Sequence, residues 1–188
     1  MKELKELSAN YATEKTNEMM SQIVAQAFAD GYRMGYKDRE DEIPVDLRDG
    51  NTEYVDLGLP SGTLWAADYE KIDGKALFLT YEKAAELSLP SEAQCQELIS
   101  VCRWTYTRTS GFLCIGPNGN NIRFRHTGFM KIEGKYIHFD QCYMWVSCND
   151  SGTTKKGMVQ NITAQGTVLE IANVFMGYRL PIRLVKNK

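Results

Sequence analysis

Histidine is the scarcest chemical resource of this 188-residue chain: there are two, His126 and His138, so a nucleophile has few imidazoles to serve as its base. Tyr136-Ile137-His138-Phe139 reads as strand, with His138 opposite Ile137 in the alternation, a structural position rather than a catalytic one. No CxxC pair and no His-Cys cluster occurs, which removes the usual zinc spacings. Cysteines number five (Cys95, Cys102, Cys114, Cys142, Cys148), an odd count that does not make a complete disulfide framework, so reduced, partly buried thiols are expected. No excess of positive charge exists: the net charge is -2, and a phosphate backbone would find no footprint, so nucleic acid is not an expected partner. No apolar run approaches the ~18 residues of a membrane span, and no basic, then apolar, leader opens the chain, so neither membrane insertion nor export is expected.

What is present is ordinary soluble composition, 43% hydrophobic and 24% charged, enough for one cored domain and an appendage. The halves differ in character. Over Met1–Gly50 acidic residues outnumber basic ones, and beyond it the balance reverses. Residues 1–43 lack proline until Pro44 and are rich in Ala, Glu, Lys, Met and Gln, a pattern that predicts a long helix. Met20, Val24, Ala27, Phe28, Gly31, Tyr32 and Gly35 recur at three- and four-residue spacing as an apolar stripe. A rod of that length overreaches a domain of ~135 residues at ~1.5 Å per residue. The stripe is therefore expected to make a homo-oligomer, as a coiled coil, or to dock on other proteins. Residues 44–52 are a turn-rich linker, and residues 53–188 form the domain proper.

Within that domain the residues predict an α+β fold of short antiparallel strands with one or two helices. Strands are expected at Glu53–Leu57, Thr63–Ala67, Lys75–Thr80, Phe112–Ile115, Ile122–Arg125, Tyr136–Phe139, Tyr143–Ser147, Met158–Ile162, Val168–Ile171 and Tyr178–Val185. One amphipathic helix is expected over Ser91–Val101, with Ser91 and Gln94 as a capping box and Leu98, Val101 and Cys102 on its inner face. Trp65, Trp104 and Trp145 are read as core. Asp140, Asn149 and Asp150 offer too few oxygens for calcium, and Gly116-Pro117-Asn118-Gly119 lacks the lysine of a phosphate loop, so no metal and no cofactor is expected.

The run Tyr54-Val55-Asp56-Leu57-Gly58-Leu59-Pro60-Ser61-Gly62-Thr63-Leu64-Trp65-Ala66 resembles the opening motif of the Fibrobacter succinogenes major paralogous domain. Further matches follow in order: Leu89-Pro90-Ser91-Glu92, Trp104, Gly116-Pro117-Asn118-Gly119-Asn120 with Gly128-Phe129, and Gly177-Tyr178-Arg179-Leu180-Pro181-Ile182-Arg183-Leu184-Val185. The resemblance implies a C-type-lectin-like fold whose first and last strands pair and whose late loops form a display surface. Departures from it are Cys95, where relatives carry an aromatic, and Ala67-Asp68-Tyr69-Glu70 in place of a cysteine-containing segment. The stretch from Ala27 to Glu40 resembles proteins of crAss-like phages infecting Bacteroidales.

Together these resemblances imply a non-enzymatic virion structural protein, such as a capsid, tail-fibre or head-fibre component, assembled in the bacterial cytoplasm. Its partners would be further copies of itself, other virion proteins and a host-surface glycan or protein. The residues expected at the ligand are Tyr136, Asp140, Gln141, Tyr143, Asn149, Asp150 and Asn173, aromatic and amide or carboxylate side chains of the kind surface recognition uses. Two other readings stay open: a decoration protein without a ligand, and a cytoplasmic host protein of Bacteroidales with the same fold. For an enzyme, Cys142 and Cys148 are the pair to inspect, because the related formylglycine-generating enzymes use paired cysteines.

Overall fold

The structure is a computed structural model that describes Met20 and residues 52–188 other than Gln165. Met20 is helical and exposed. The rest of the N-terminal helix expected over residues 1–43, with Val24, Ala27, Phe28, Gly31, Tyr32 and Gly35, and the linker 44–51 lie outside the described residues.

From Thr52 onward the described chain is built of short antiparallel strands and two helices, an α+β arrangement in which strand dominates. In order these are β1 (Tyr54–Asp56), β2 (Leu64–Ala66), β3 (Lys71–Ile72), β4 (Lys75–Ala76), β5 (Phe78–Leu79), α1 (Tyr81–Ala84), α2 (Glu92–Val101), β6 (Arg103–Thr107), β7 (Gly111–Ile115) and β8 (Asn121–Phe124). Then come β9 (Phe129–Met130), β10 (Tyr136–Ile137), β11 (Tyr143–Trp145), β12 (Thr154–Thr163), β13 (Gly166–Phe175), β14 (Leu180–Pro181) and β15 (Val185–Lys186). Among the described residues no helix is long and apolar enough to cross a membrane.

The closing strand departs from expectation. Tyr178–Val185 does not run as one strand against β1; it divides at Pro181, whose ring nitrogen has no hydrogen to continue a ladder. β14 pairs with β5, and β15 pairs with β2, where Val185 faces Trp65. The sheet order is therefore β1-β2-β15, with β2 between the first and last strands. Burial explains the choice: Trp65 and Ala66 in β2 are fully buried, as a central strand requires, whereas β1 is half-buried throughout, as an edge allows.

α2 begins as the residues predict. Ser91 Oγ accepts from Gln94 N at 3.2 Å, and Gln94 Oε1 accepts from Ser91 N at 2.9 Å, so two otherwise unpaired amides are satisfied reciprocally. Its inner face is Cys95, Leu98 and Cys102; Val101 points outward and is 38% exposed, because the helix ends there and the chain turns into β6.

Two apolar clusters form the core, and single strands divide them. Met144 and Val146 enter the first with Trp65, Leu98, Phe112, Phe124 and Met158, while Trp145 enters the second with Leu79, Tyr81, Leu180 and Ile182. Alternate side chains of β11 point to opposite faces, so one strand serves both cores. Each such fully buried large side chain stabilises the fold by about 1.5–3 kcal/mol. Trp145 also donates its indole N–H to Leu79 O at 2.7 Å, and Tyr81 meets it edge-on at 5.4 Å. Trp65 and Trp145 are core, as read from the sequence; Trp104 is half-buried and packs against the first cluster from its margin.

Candidate functional site

The β9–β10 hairpin pairs Tyr136 with Met130 and Ile137 with Phe129. On its inner side Phe129 packs at the centre of a ring of aromatic side chains: stacked with Tyr178 at 4.9 Å, edge-on to Tyr143 at 5.0 Å, and 5.8 Å from His138. Met130 and Arg179 exchange backbone hydrogen bonds at 2.9 and 2.8 Å, which tie the hairpin to the closing segment. The hairpin is thus packed from beneath by aromatic rings and tied at its side by backbone bonds.

Outward, Tyr136 and Phe139 stand 6.1 Å apart with ring planes 31° from parallel, and Phe78 braces Tyr136 edge-on at 5.3 Å. Phe139 is 66% exposed and Tyr136 40%. Singly exposed apolar side chains are ordinary, and Ile162 is more open still at 71%, but two neighbouring exposed rings present much contact area for little conformational entropy on binding. Lys135, Glu133 and Asp140, close to the pair in the chain, are exposed and carry charge of both signs.

The chain reaches Phe139 through His138, which adopts φ 54° rather than continuing the strand. His138 thus ends β10 instead of alternating against Ile137 within it. The reason is the turn that follows: Gln141 N donates to His138 O at 2.9 Å, and Gln141 O accepts from Thr127 N and Gly128 N at 3.1 and 3.0 Å. Tyr143 Oη donates to Gln141 Oε1 at 2.6 Å. Burial, together with the charges of Asp140 and Cys142, raises the Tyr143 phenol above its ordinary value.

Of the seven residues read from the sequence, Tyr136, Asp140, Gln141 and Tyr143 share this region. Gln141 Oε1 and Tyr143 Oη bond to each other, and the Gln141 backbone closes the turn. Asn149 and Asp150 lie in the β11–β12 connection, where Lys155 Nζ donates to Asp150 O and stands 5.3 Å from the Tyr81 ring centre. Asn173 is exposed on β13 opposite Lys156. Phe139 and Phe78, the most exposed member of the aromatic group and its brace, escaped the sequence reading. Phe78 and Tyr136 are far apart in the chain and meet only through tertiary packing, although Phe139, three residues after Tyr136, was a usable local signal.

Four of the five thiols are placed unlike reactive ones. All five are free, and four of them, Cys95, Cys102, Cys114 and Cys142, are buried. Burial pushes those four upward, Cys142 to about 12, which keeps the nucleophilic thiolate scarce. Cys142 Sγ donates to Phe124 O at 3.2 Å, whereas Cys148 Sγ accepts from Lys156 N at 3.4 Å. The two flank β11, and their sulfurs bond to different backbone partners, so they do not form a pair. Among the described residues no three His, Cys, Asp or Glu side chains are grouped so as to hold a metal ion.

Compared with models of protein families, with curated proteins and with solved structures, the chain matches none.

Proposed function

We propose that this protein is a non-enzymatic structural component of a phage particle, in which residues 53–188 form an outward display domain that binds a host-surface glycan or protein. The N-terminal stripe from Met20 to Gly35 joins copies of the chain to one another or to the particle. The observation that carries the binding part is the exposed pair Tyr136 and Phe139, braced by Phe78 and set on a hairpin packed on aromatic rings. The order of the five sequence motifs supports the lectin-like reading, and the stretch from Ala27 to Glu40 supports the phage reading.

Mass spectrometry of purified phage particles should find the chain, and its absence from them would overturn the assignment to a particle. The chain carrying Phe139→Ser and Tyr136→Ser should lose attachment to host cells at unchanged melting temperature; equal attachment would remove these rings from recognition. Periodate treatment of the cells abolishes attachment if the ligand is glycan, and protease treatment does so if it is protein. In sedimentation, the full chain should be larger than one protomer and a chain starting at Thr52 should not.

A further inference from the structure

The longest ladder of the structure is the β12–β13 hairpin, paired without interruption from Thr154 with Phe175 to Thr163 with Gly166. β13 is the outer strand of the order β11-β12-β13. Which of its groups point outward follows from three bonds: Gln160 N donates to Cys142 O, Val146 N donates to Lys156 O, and Met176 N donates to Thr153 O. The first two turn the even-numbered residues of β12 toward β11, and the third turns its odd-numbered residues toward β13. By register, Gly166, Val168, Glu170, Ala172 and Val174 bond to β12. The N–H and C=O groups of Thr167, Leu169, Ile171 and Asn173 then face away from the sheet, and no backbone group among the described residues bonds to them.

Edges of this kind are usually guarded by lysine, proline, a bulge or shortness. β13 has none of these: it is ten residues long, and its single charge, Glu170, accepts from Asn161 Nδ2 at 2.9 Å within the hairpin. Beside the edge lies a cleft of about 230 Å³, lined by Ile99, Trp104, Phe112, Thr167, Val168 and Leu169, and its wall is mainly apolar. Directly paired residues on neighbouring strands share a face. A residue laid opposite Thr167 or Leu169 would therefore direct its side chain to the side where the Leu169 side chain packs on the core, the side of the cleft.

We infer that β13 is a strand-addition site, which takes an extended peptide segment of a partner protein and seats one leucine- or phenylalanine-sized side chain in the cleft beside Trp104. Backbone bonds supply the affinity and the cleft the selectivity, the division of labour of strand-addition sites generally. A second copy of β13 is not the occupant, because of the large side chains it would offer on that face Leu169 and Ile171 pack on its own core and Phe175 packs edge-on against its own Tyr178 at 5.4 Å. A free extended segment with alternate apolar residues has such side chains to give. This site involves other residues than Tyr136 and Phe139, and it stands or falls separately from the reading of them.

The test uses the full chain, labelled for amide exchange, and a short capped synthetic peptide alternating threonine with leucine. With peptide present, the amides of Thr167, Leu169, Ile171 and Asn173 should exchange at least about tenfold more slowly, as newly bonded edge amides do, while those of Val168, Glu170 and Ala172 stay unchanged. Serine in place of the leucines, or N-methyl groups along the bonding edge of the peptide, should weaken binding by about tenfold or more. Thr167→Trp, which occupies the cleft, should do the same; the methylated peptide decides the matter if that variant fails to fold. Unchanged exchange at millimolar peptide, protection elsewhere on the chain, or equal binding of the methylated peptide would overturn the inference.

Discussion

The guanidinium carbon of Arg183 lies 4.3 Å from the centre of the Phe124 ring, inside the protein and fully buried. Tyr69 faces it at 4.8 Å, Nη1 donates to Ala66 O and Ala67 O at 2.8 and 3.3 Å, and Nη2 donates to Arg123 O at 2.6 Å. Among the described residues no carboxylate forms an ion pair with it. Burial lowers its pKa, with the charges of Tyr69 and Asp68 opposing. One side chain of the closing segment thereby joins the chain after β2 to the end of β8, and the cation is held by carbonyl dipoles and ring faces.

Arg183→Lys should destabilise the fold by about 2–4 kcal/mol, since an ammonium cannot reach three carbonyls through a planar fork or stack between two rings. Urea denaturation measures it. A loss below about 1 kcal/mol, the scale of a single ordinary hydrogen bond, would mean that the carbonyls find other partners.

Stability should fall in alkali. A cysteine thiol in the unfolded chain titrates near 8.5, whereas folded Cys142 is pushed to about 12, and Cys95, Cys102 and Cys114 also rise by burial. The unfolded chain therefore binds fewer protons than the folded one above about pH 8.5, so folding free energy is lost as pH rises toward the folded value. Cys142→Ser keeps a donor for Phe124 O and removes one titrating group, and its melting temperature should decline less steeply over pH 8.5–12 than that of the parent.

Gly116 and Gly119 belong to one turn and should respond oppositely in scale. A β-carbon on Gly116 would stand 2.1 Å from Leu57 O and 2.8 Å from Leu57 C, backbone that cannot step aside, so Gly116→Ala should open the contact between the turn and the end of β1. A β-carbon on Gly119 meets nothing within 4 Å, and only its φ of 88° resists substitution. Gly119→Ala should cost about 1 kcal/mol and Gly116→Ala several times that, by thermal melting.

Ser91→Ala should cost about 1 kcal/mol, the usual value of a lost helix cap. Gln94→Ala should cost at least as much, because Gln94 Nε2 also donates to Thr63 Oγ1 at 3.1 Å and so links α2 to the approach to β2. Equal melting temperatures for Gln94→Ala and the parent would show that the Gln94 side-chain bonds to Ser91 N and Thr63 Oγ1 add nothing to stability.

Local chemistry was readable where neighbours in the chain decide the outcome. The capping box at Ser91, the turn at Gly116-Pro117-Asn118-Gly119-Asn120 and most strand positions all follow from residues within a few places of one another. Even there the turn held more than its residues disclose: Asn118 Nδ2 and Asn120 Nδ2 both donate to Asp56 O at 2.8 Å, so a sequence that reads as a solvent turn clamps the end of β1. The four-residue α1 and the two-residue β3 and β9 were not anticipated, because none is long enough for a period to register, and β6 was missed although its five residues alternate.

By itself the sequence determined the α+β class, the alternation that makes β11 serve two cores, the cap of α2 and the free state of the thiols, since each depends on side-chain type, spacing or number. Only the tertiary structure decided that β2 lies between β1 and β15, that Phe78 braces Tyr136, and that Arg183 sits between Tyr69 and Phe124. Those outcomes depend on which distant strands share an edge, and strand pairing is settled by burial summed over the whole fold, a quantity no short stretch of residues contains.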